Sequence, residues 1–177
     1  MSLEILQSWL ALTVAVVSIG IAFYGVKLQR QNNLMEVRPL PYISCADYED
    51  LLWVKVRNDG VGPLIIDDII IHREGQAAEF PDLISYMPRL PRGLHWSKFS
   101  RGLARTVAVG ADLPLLELHL DPSNKTHTRF RDECRAELCR IELKVLYTDL
   151  HGTQFQPVSR FLDFFARRLA SSRAAPV

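Results

Sequence analysis

The side chains best suited to chemistry lie between Leu83 and Ala111, a stretch without a single Asp or Glu. It carries Arg89, Arg92, His95, Lys98, Arg101 and Arg105, with Trp96 and Phe99 set among them. A guanidinium group binds phosphate oxygens through paired N–H donors, and an aromatic face stacks on a base or a cation. In a segment broken by Pro88, Pro91 and Gly93, such a set fits an anionic ligand, holding its phosphates and stacking a base. Arg89, Arg92, His95, Trp96, Lys98, Arg101 and Arg105 are therefore the candidate ligand-binding residues. Two other uses suit the same charges. The stretch can lie against anionic lipid headgroups. It can also pair with the acid-rich segment from Ala46 to Asp82, in its own or a neighbouring subunit.

No other constellation carries a catalytic signature. His72, His95, His119, His127 and His151 are scattered, and no two stand at ligand spacing. Cys134 and Cys139 are separated by four residues, which is neither a redox pair nor half of a zinc site. There is no phosphate-binding glycine loop, dinucleotide fingerprint or nucleophile elbow. Asp67-Asp68 has no third carboxylate or histidine nearby in sequence, and a solvated bulge accounts for the pair. The expectation is a protein that is not an enzyme and uses no cofactor or metal. The formal net charge of +1 argues against binding of long nucleic acid.

The element that must position any such site is at the other end of the chain. Ile5 to Val26 contains no charged residue and lies between Glu4 and Lys27. At about 1.5 Å per residue it reaches roughly 33 Å, enough to cross a hydrocarbon core of about 30 Å. Trp9 and Tyr24 fall near its ends, where amphipathic rings favour the headgroup level. A secretory signal would need a basic start, a shorter apolar core and a small-residue cleavage site, and none of these is present. Lys27, Arg30 and Arg38 all follow the stretch and no Lys or Arg precedes it, so the positive-inside rule puts the N-terminus outside and the remainder in the cytoplasm. Three cysteines, an odd number, agree with a reducing compartment.

Steps of four and three along this stretch pick out Glu4, Ser8, Ala11, Ala15, Ser18, Ala22, Gly25, Gln29 and Asn32, all small or polar. A 3.5-residue repeat stays in register in a left-handed bundle, and small side chains let membrane helices approach closely. Ala11, Ala15, Ser18, Ala22 and Gly25 form the expected helix-packing seam, and the expected partner is a second copy of the chain.

The remaining residues read as strands. Pro41 to Ala46 is one, and Leu52, Val54 and Val56 alternate with Trp53, Lys55 and Arg57 in another. Leu64 to His72 is a β-branched run with a bulge or edge at Asp67-Asp68. Phe80-Pro81-Asp82 opens a short helix carrying Leu83, Ile84 and Met87, which Pro88 and Pro91 stop. Leu103 to Val109 and Leu115 to Leu120 are two more strands, the second with Leu116, Leu118 and Leu120 opposite Glu117 and His119. Phe130, Cys134 and Leu138, spaced by four, predict one or two helical turns. Ile141 to Tyr147 and Thr153 to Val158 form a hairpin about Asp149-Leu150-His151-Gly152, and Phe161, Leu162, Phe165 and Leu169 predict a C-terminal helix. The fold class is mainly β: an N-terminal transmembrane helix, then an antiparallel β-sandwich or small barrel with a short C-terminal helix.

Two patches carry a resemblance. Leu52 to Pro63 resembles the strand and Asn-x-Gly-x-Gly-Pro turn of immunoglobulin-like modules, and Val145 to Phe155 resembles the late Tyr-x-Asp-x-x-Gly-x-x-Phe hairpin of bacterial membrane-anchored β-domains. The resemblance implies a bacterial inner (cytoplasmic) membrane protein and transfers no site residues. The division is then 1–27 anchor, 28–38 helical stalk, 39–169 cytosolic β-domain close to the membrane, and 170–177 flexible tail. The layout is similar to that of small membrane effectors in bacterial antiviral defence. The resemblance implies a sensor whose β-domain binds a ligand, a cyclic nucleotide in effectors of that kind, and whose self-associating helix perturbs or gates the lipid bilayer. The alternative is a tether that recruits a protein partner through a strand edge or the Trp53 face.

Overall fold

The computed structural model describes residues 3–36, 38–74, 81–101 and 105–167, with backbone only for 3–6 and 31–36. They fall into two compact units, Met1–Arg38 and Pro39–Val177. The 170–177 tail, Leu103 and Leu169 lie outside the described residues.

The first unit is one helix, α1 (Leu3–Glu36). Its 34 residues make a rod of about 51 Å. The stretch Gln7–Arg30 is long and apolar enough to cross a membrane. Every large apolar side chain from Trp9 to Val26 is more than half exposed. The hydroxyls on this surface do not go unanswered. Thr13 Oγ1 donates to the Trp9 carbonyl at 2.7 Å, and Ser18 Oγ to the Val14 carbonyl at 2.8 Å. Proline at 39 and 41 stops the helix, because a residue preceding proline is pushed toward extended geometry.

The second unit is built from two antiparallel four-stranded sheets. In chain order the strands are β1 (Pro41–Asp47), β2 (Leu51–Asn58), β3 (Leu64–Arg73), β4 (Lys98–Phe99), β5 (Arg105–Val107), β6 (Asp112–His119), β7 (Ile141–Thr148) and β8 (Val158–Phe161). One sheet runs β1-β2-β6-β4 and the other β5-β3-β7-β8. The period-two pattern decides which face is buried. Val54 and Val56 of β2, Leu116 and Leu118 of β6, Leu64 and Ile66 of β3, and Leu143 and Val145 of β7 are fully enclosed in one core shared by both sheets. A register shift between Ile66 and Asp68 makes Asp67 a bulge residue, and both aspartates are exposed.

Helix α2 (Lys125–Leu138) closes one end of the sandwich. Asn124 caps it, its side-chain oxygen accepting from the Thr126 and His127 N–H groups. Phe130, Cys134 and Leu138 are buried as their spacing predicts, but the helix has 14 residues where one or two turns were expected. Arg135 ties it to the end of β1, with Nε 3.0 Å from Asp47 Oδ1, both side chains almost wholly enclosed. This pair explains how a segment so polar stays helical, because tertiary contacts override the weak local preference.

Two other expectations need correction. The strand returning from the β7 turn is Val158–Phe161, not Thr153 to Val158; only an isolated bridge, Thr148 to Gln154, pairs earlier. Pro157 has no N–H to give to a ladder, which delays the pairing. Phe161 consequently belongs to a strand, and the C-terminal helical segment begins as a 3-10 turn at Asp163–Phe165.

The chain crosses between sheets at the end opposite α2, through residues 59–63 (β2 to β3) and 108–111 (β5 to β6). Asn58 sits between these crossovers with no exposed surface. Its Nδ2 donates to the Gly62 carbonyl (2.8 Å) and the Val107 carbonyl (3.1 Å). Its Oδ1 accepts from the Leu40 N–H (3.3 Å) and the Gly60 N–H (3.1 Å). The Asn58 carbonyl accepts from Gly110 N–H (2.8 Å), and its N–H donates to the Ala111 carbonyl (3.1 Å).

Replacing Asn58 by Ala leaves several buried backbone groups without partners and is expected to cost about 2–4 kcal/mol. Asn58→Asp, which keeps the acceptor and loses both donors, should fall in the same range. Urea unfolding read from intrinsic tryptophan fluorescence measures both, and a loss below about 0.5 kcal/mol in each would refute the role given to this side chain.

Candidate functional site

The segment from Arg89 to Arg101 runs over the surface with Leu90, Leu94 and Trp96 turned inward and Phe99 exposed. Leu90, Leu94 and Trp96 pack against the core, and Trp96 meets Phe130 of α2 with ring centroids 6.0 Å apart. A turn at Pro91–Leu94, closed by the Leu94 N–H on the Pro91 carbonyl (3.2 Å), places Gly93 at φ +85°, which only glycine adopts without strain. The residues between these apolar anchors are Arg89, Arg92 and His95, all exposed. Among the described residues, none of the three makes an ion pair or side-chain hydrogen bond.

The other predicted cations are engaged within the chain. Lys98 Nζ is 3.5 Å from Glu117 Oε1. Arg101 Nε is 3.6 Å from Asp82 Oδ2, and the two residues also form a backbone bridge. Asp82 is buried and caps the 3-10 turn Leu83–Tyr86, accepting from the Ser85 N–H at 2.9 Å. Arg105 Nη1 donates to the hydroxyl of buried Ser100 at 3.3 Å. The seven candidates thus divide into an outward set (Arg89, Arg92, His95), an engaged set (Lys98, Arg101, Arg105) and a packed aromatic (Trp96). The seam residues Ala11, Ala15, Ser18, Ala22 and Gly25 lie along the exposed surface of α1, and nothing within 4 Å would meet a Cβ at Gly25.

Glu117 is the group that sequence reasoning missed. Alternation put it on the solvent side of β6, and it does face away from the core, yet it is only 6% exposed. Lys55 Nζ of β2 lies 2.9 Å from Oε2 and 4.6 Å from the Trp53 ring centroid, so the lysine bridges a carboxylate and an aromatic face. His119 Nε2 is 3.6 Å away. The Glu117 carbonyl accepts from the Ser97 N–H at 2.8 Å, which pins β4 to β6. Burial alone would raise the carboxyl; the Lys55 hydrogen bond and the charges of Lys55 and Lys98 outweigh it and hold Glu117 below the ordinary carboxylate range. The register joining residues 55, 98 and 117 is long-range and leaves no local trace in sequence.

A cleft of about 490 Å³ opens elsewhere, lined by His72, Arg73, Glu74, Cys139, Arg140, Glu142 and Phe161. Its Cys139 thiol donates to the Ala136 carbonyl at 3.3 Å, and burial pushes it above the usual thiol range. It therefore keeps its proton near neutral pH and is a poor nucleophile. Cys45 is pushed up to about 11, chiefly by burial, and all three cysteines are free. Among the described residues, no group of three His, Cys, Asp or Glu side chains is placed to hold a metal ion.

No protein-family model matches the chain, and no curated protein matches it.

Because the Glu117 carboxyl is depressed in the folded state, its stabilising contribution is complete above the ordinary value of 4.5 and is lost as pH falls through the folded-state value. The difference in melting temperature between the native chain and Glu117→Gln should be largest near pH 7 and shrink steadily toward pH 3, as thermal unfolding across that range will show. A difference that grows on acidification would contradict the assignment.

Proposed function

We propose that the protein is a single-pass membrane-anchored binding module of the bacterial cytoplasmic membrane. In this reading α1 crosses the bilayer, the β-sandwich lies on the cytoplasmic side, and the segment around Arg89, Arg92 and His95 takes an anionic ligand, a cyclic nucleotide being the leading class. The observation that carries the reading is the fully exposed apolar surface of α1. Patches that large on a protein surface mark membrane or partner contact. The internal hydrogen bonds of Thr13 and Ser18 support a lipid setting, because a hydroxyl satisfied by its own helix needs no water. Lys27, Arg30 and Arg38, all C-terminal to the span, support the orientation.

The ligand reading draws on the division of cations. Three of them hold the segment to the sandwich, and Arg89, Arg92 and His95 remain presented to solvent on a loop fixed by Leu90, Leu94 and Trp96. A preformed loop loses little conformational entropy when it binds. Association of α1 along Ala11, Ala15, Ser18, Ala22 and Gly25 would carry ligand occupancy to the bilayer. The ligand's differential affinity for two helix packings sets how far the balance moves.

Membranes washed with alkaline carbonate should retain the full chain in the pellet; release into the supernatant would overturn the span. In detergent, Arg89→Ala combined with Arg92→Ala should lower affinity for a bound cyclic dinucleotide at least tenfold while leaving the melting temperature unchanged. Lys98→Ala should instead lower the melting temperature. Calorimetric titration and thermal unfolding separate these effects, and unchanged affinity in the double variant would remove the loop from consideration.

A further inference from the structure

The two sequence patches that resemble known turns lie some ninety residues apart, and the fold brings them to one end of the sandwich. Ile65, two residues after the Asn-x-Gly-x-Gly-Pro turn, pairs with Thr148, one residue before the Asp149–Gly152 turn. The 108–111 crossover joins the same end through the Gly110 N–H on the Asn58 carbonyl. Leu40 joins it too, its carbonyl accepting from the Asp59 N–H at 2.9 Å.

Each of these four segments carries one exposed aliphatic side chain: Leu40 (55%), Val61 (66%), Val109 (54%) and Leu150 (61%). They are the only large aliphatic residues of the β-unit exposed to this degree among the described residues. Isolated exposed apolar residues need no explanation, but four on four segments at one end form a pattern. The opposite end is closed by α2 and exposes the rings of Tyr48 and Phe161 among charged side chains, the carboxylates of Glu49, Asp50 and Asp121 and the cations of Lys125 and Arg129.

The tips are held in place. Asn58 fixes the Leu40, 59–63 and 107–111 segments through the bonds described above. Asp149 does the same for Leu150: its Oδ1 accepts the N–H groups of His151 (2.8 Å) and Thr153 (2.9 Å), and Gly152 turns the chain at φ +75°. Charge at this end is partly paired or buried, with Asp67, which accepts from the Thr148 hydroxyl at 3.4 Å, exposed at its margin. Asp149 is buried, Arg57 Nε pairs with Asp59 Oδ1, and Asp112 stands opposite Arg57 in the ladder. Leu40 is fourteen residues beyond Val26, the end of the apolar run: ten of them belong to α1, about 15 Å, and the last four span at most about 14 Å.

We propose that this end is a membrane-contacting surface, with Val61, Val109 and Leu150 entering the headgroup region of the bilayer that α1 crosses. The occupant is lipid, because the chain enters the sandwich at this end on leaving α1, and separate single aliphatic tips suit a soft interface better than a protein groove. The inference rests on the reading of α1 as a membrane span. The sandwich would then hold its α2 end, with its carboxylates, away from anionic headgroups.

Nitroxide labels test this in the full chain reconstituted into phosphatidylcholine–phosphatidylglycerol nanodiscs, in a background carrying Cys45→Ser and Cys139→Ser. Val61→Cys, Val109→Cys and Leu150→Cys report the proposed surface, Ser123→Cys the opposite end, and Val17→Cys the span. Accessibility to oxygen relative to a water-soluble nickel reagent should be several-fold higher at 61, 109 and 150 than at 123, and highest at 17. A lipid signal at 17 with 61, 109 and 150 equal to 123 overturns the surface and leaves the span intact. Protection of the three labels from both reagents would signify burial against protein and also overturn it. An aqueous signal at 17 overturns the span, and the surface with it.

Discussion

The sandwich depends on a single buried amide. Two antiparallel sheets facing each other need the chain to cross between them, and each crossing strands backbone groups that neither ladder satisfies. Here two of the crossings, β2 to β3 and β5 to β6, fall at one end, and Asn58 supplies two donors and an acceptor to them. Asparagine alone among small residues offers both kinds of group on one planar head, which an aspartate or a leucine does not. A fully satisfied polar group in a low-dielectric interior rigidifies its surroundings, whereas a half-satisfied one destabilises them. The glycines and proline that follow Asn58 are the backbone side of the same device.

A second organising group is Glu117, and it acts on charge. A carboxylate so nearly enclosed needs partners to stay ionised, and it draws Lys55 from β2 and Lys98 from β4. The basic stretch is therefore not a uniform cationic loop. Its C-terminal half is sewn to the sandwich by Glu117, Asp82 and Ser100, and its N-terminal half is held only by apolar contacts and leaves its cations outside.

Much of the architecture was legible because it rests on periodicity. The apolar run of α1, the alternation in β2 and β7, the Asn58–Pro63 turn and the bulge at Asp67-Asp68 all follow from local pattern. The hidden parts are those fixed by distant partners. Helix α2 has a polar sequence, and its length depends on Arg135 reaching Asp47 and on Phe130 meeting Trp96. The return strand was placed too early because Pro157 and the long 149–157 loop do not announce where pairing resumes. In the candidate site, the charge pattern marks the basic segment but gives no means of separating Arg89 and Arg92 from Lys98 and Arg101, whose partners Glu117 and Asp82 lie elsewhere in the sequence.

The order in which the chain is made gives the bulge in β3 another meaning. Each sheet has a long ladder between strands distant in sequence: β2 waits for β6, and β3 for β7. Between the appearance of Arg73 and that of Thr148, a ribosome working at about 5–20 residues per second needs roughly 4 to 15 s. Through that interval Leu64 to Ile71, a β-branched run of the type that associates with copies of itself, has only the short β5 to pair Leu64 to Ile66 and no partner strand beyond. Asp67 and Asp68 stand in its middle. Two adjacent negative charges oppose in-register stacking of identical strands, while the finished sheet accommodates them in a bulge on its exposed side. The irregularity that interrupts the strand in the folded protein is thus a guard over the nascent one.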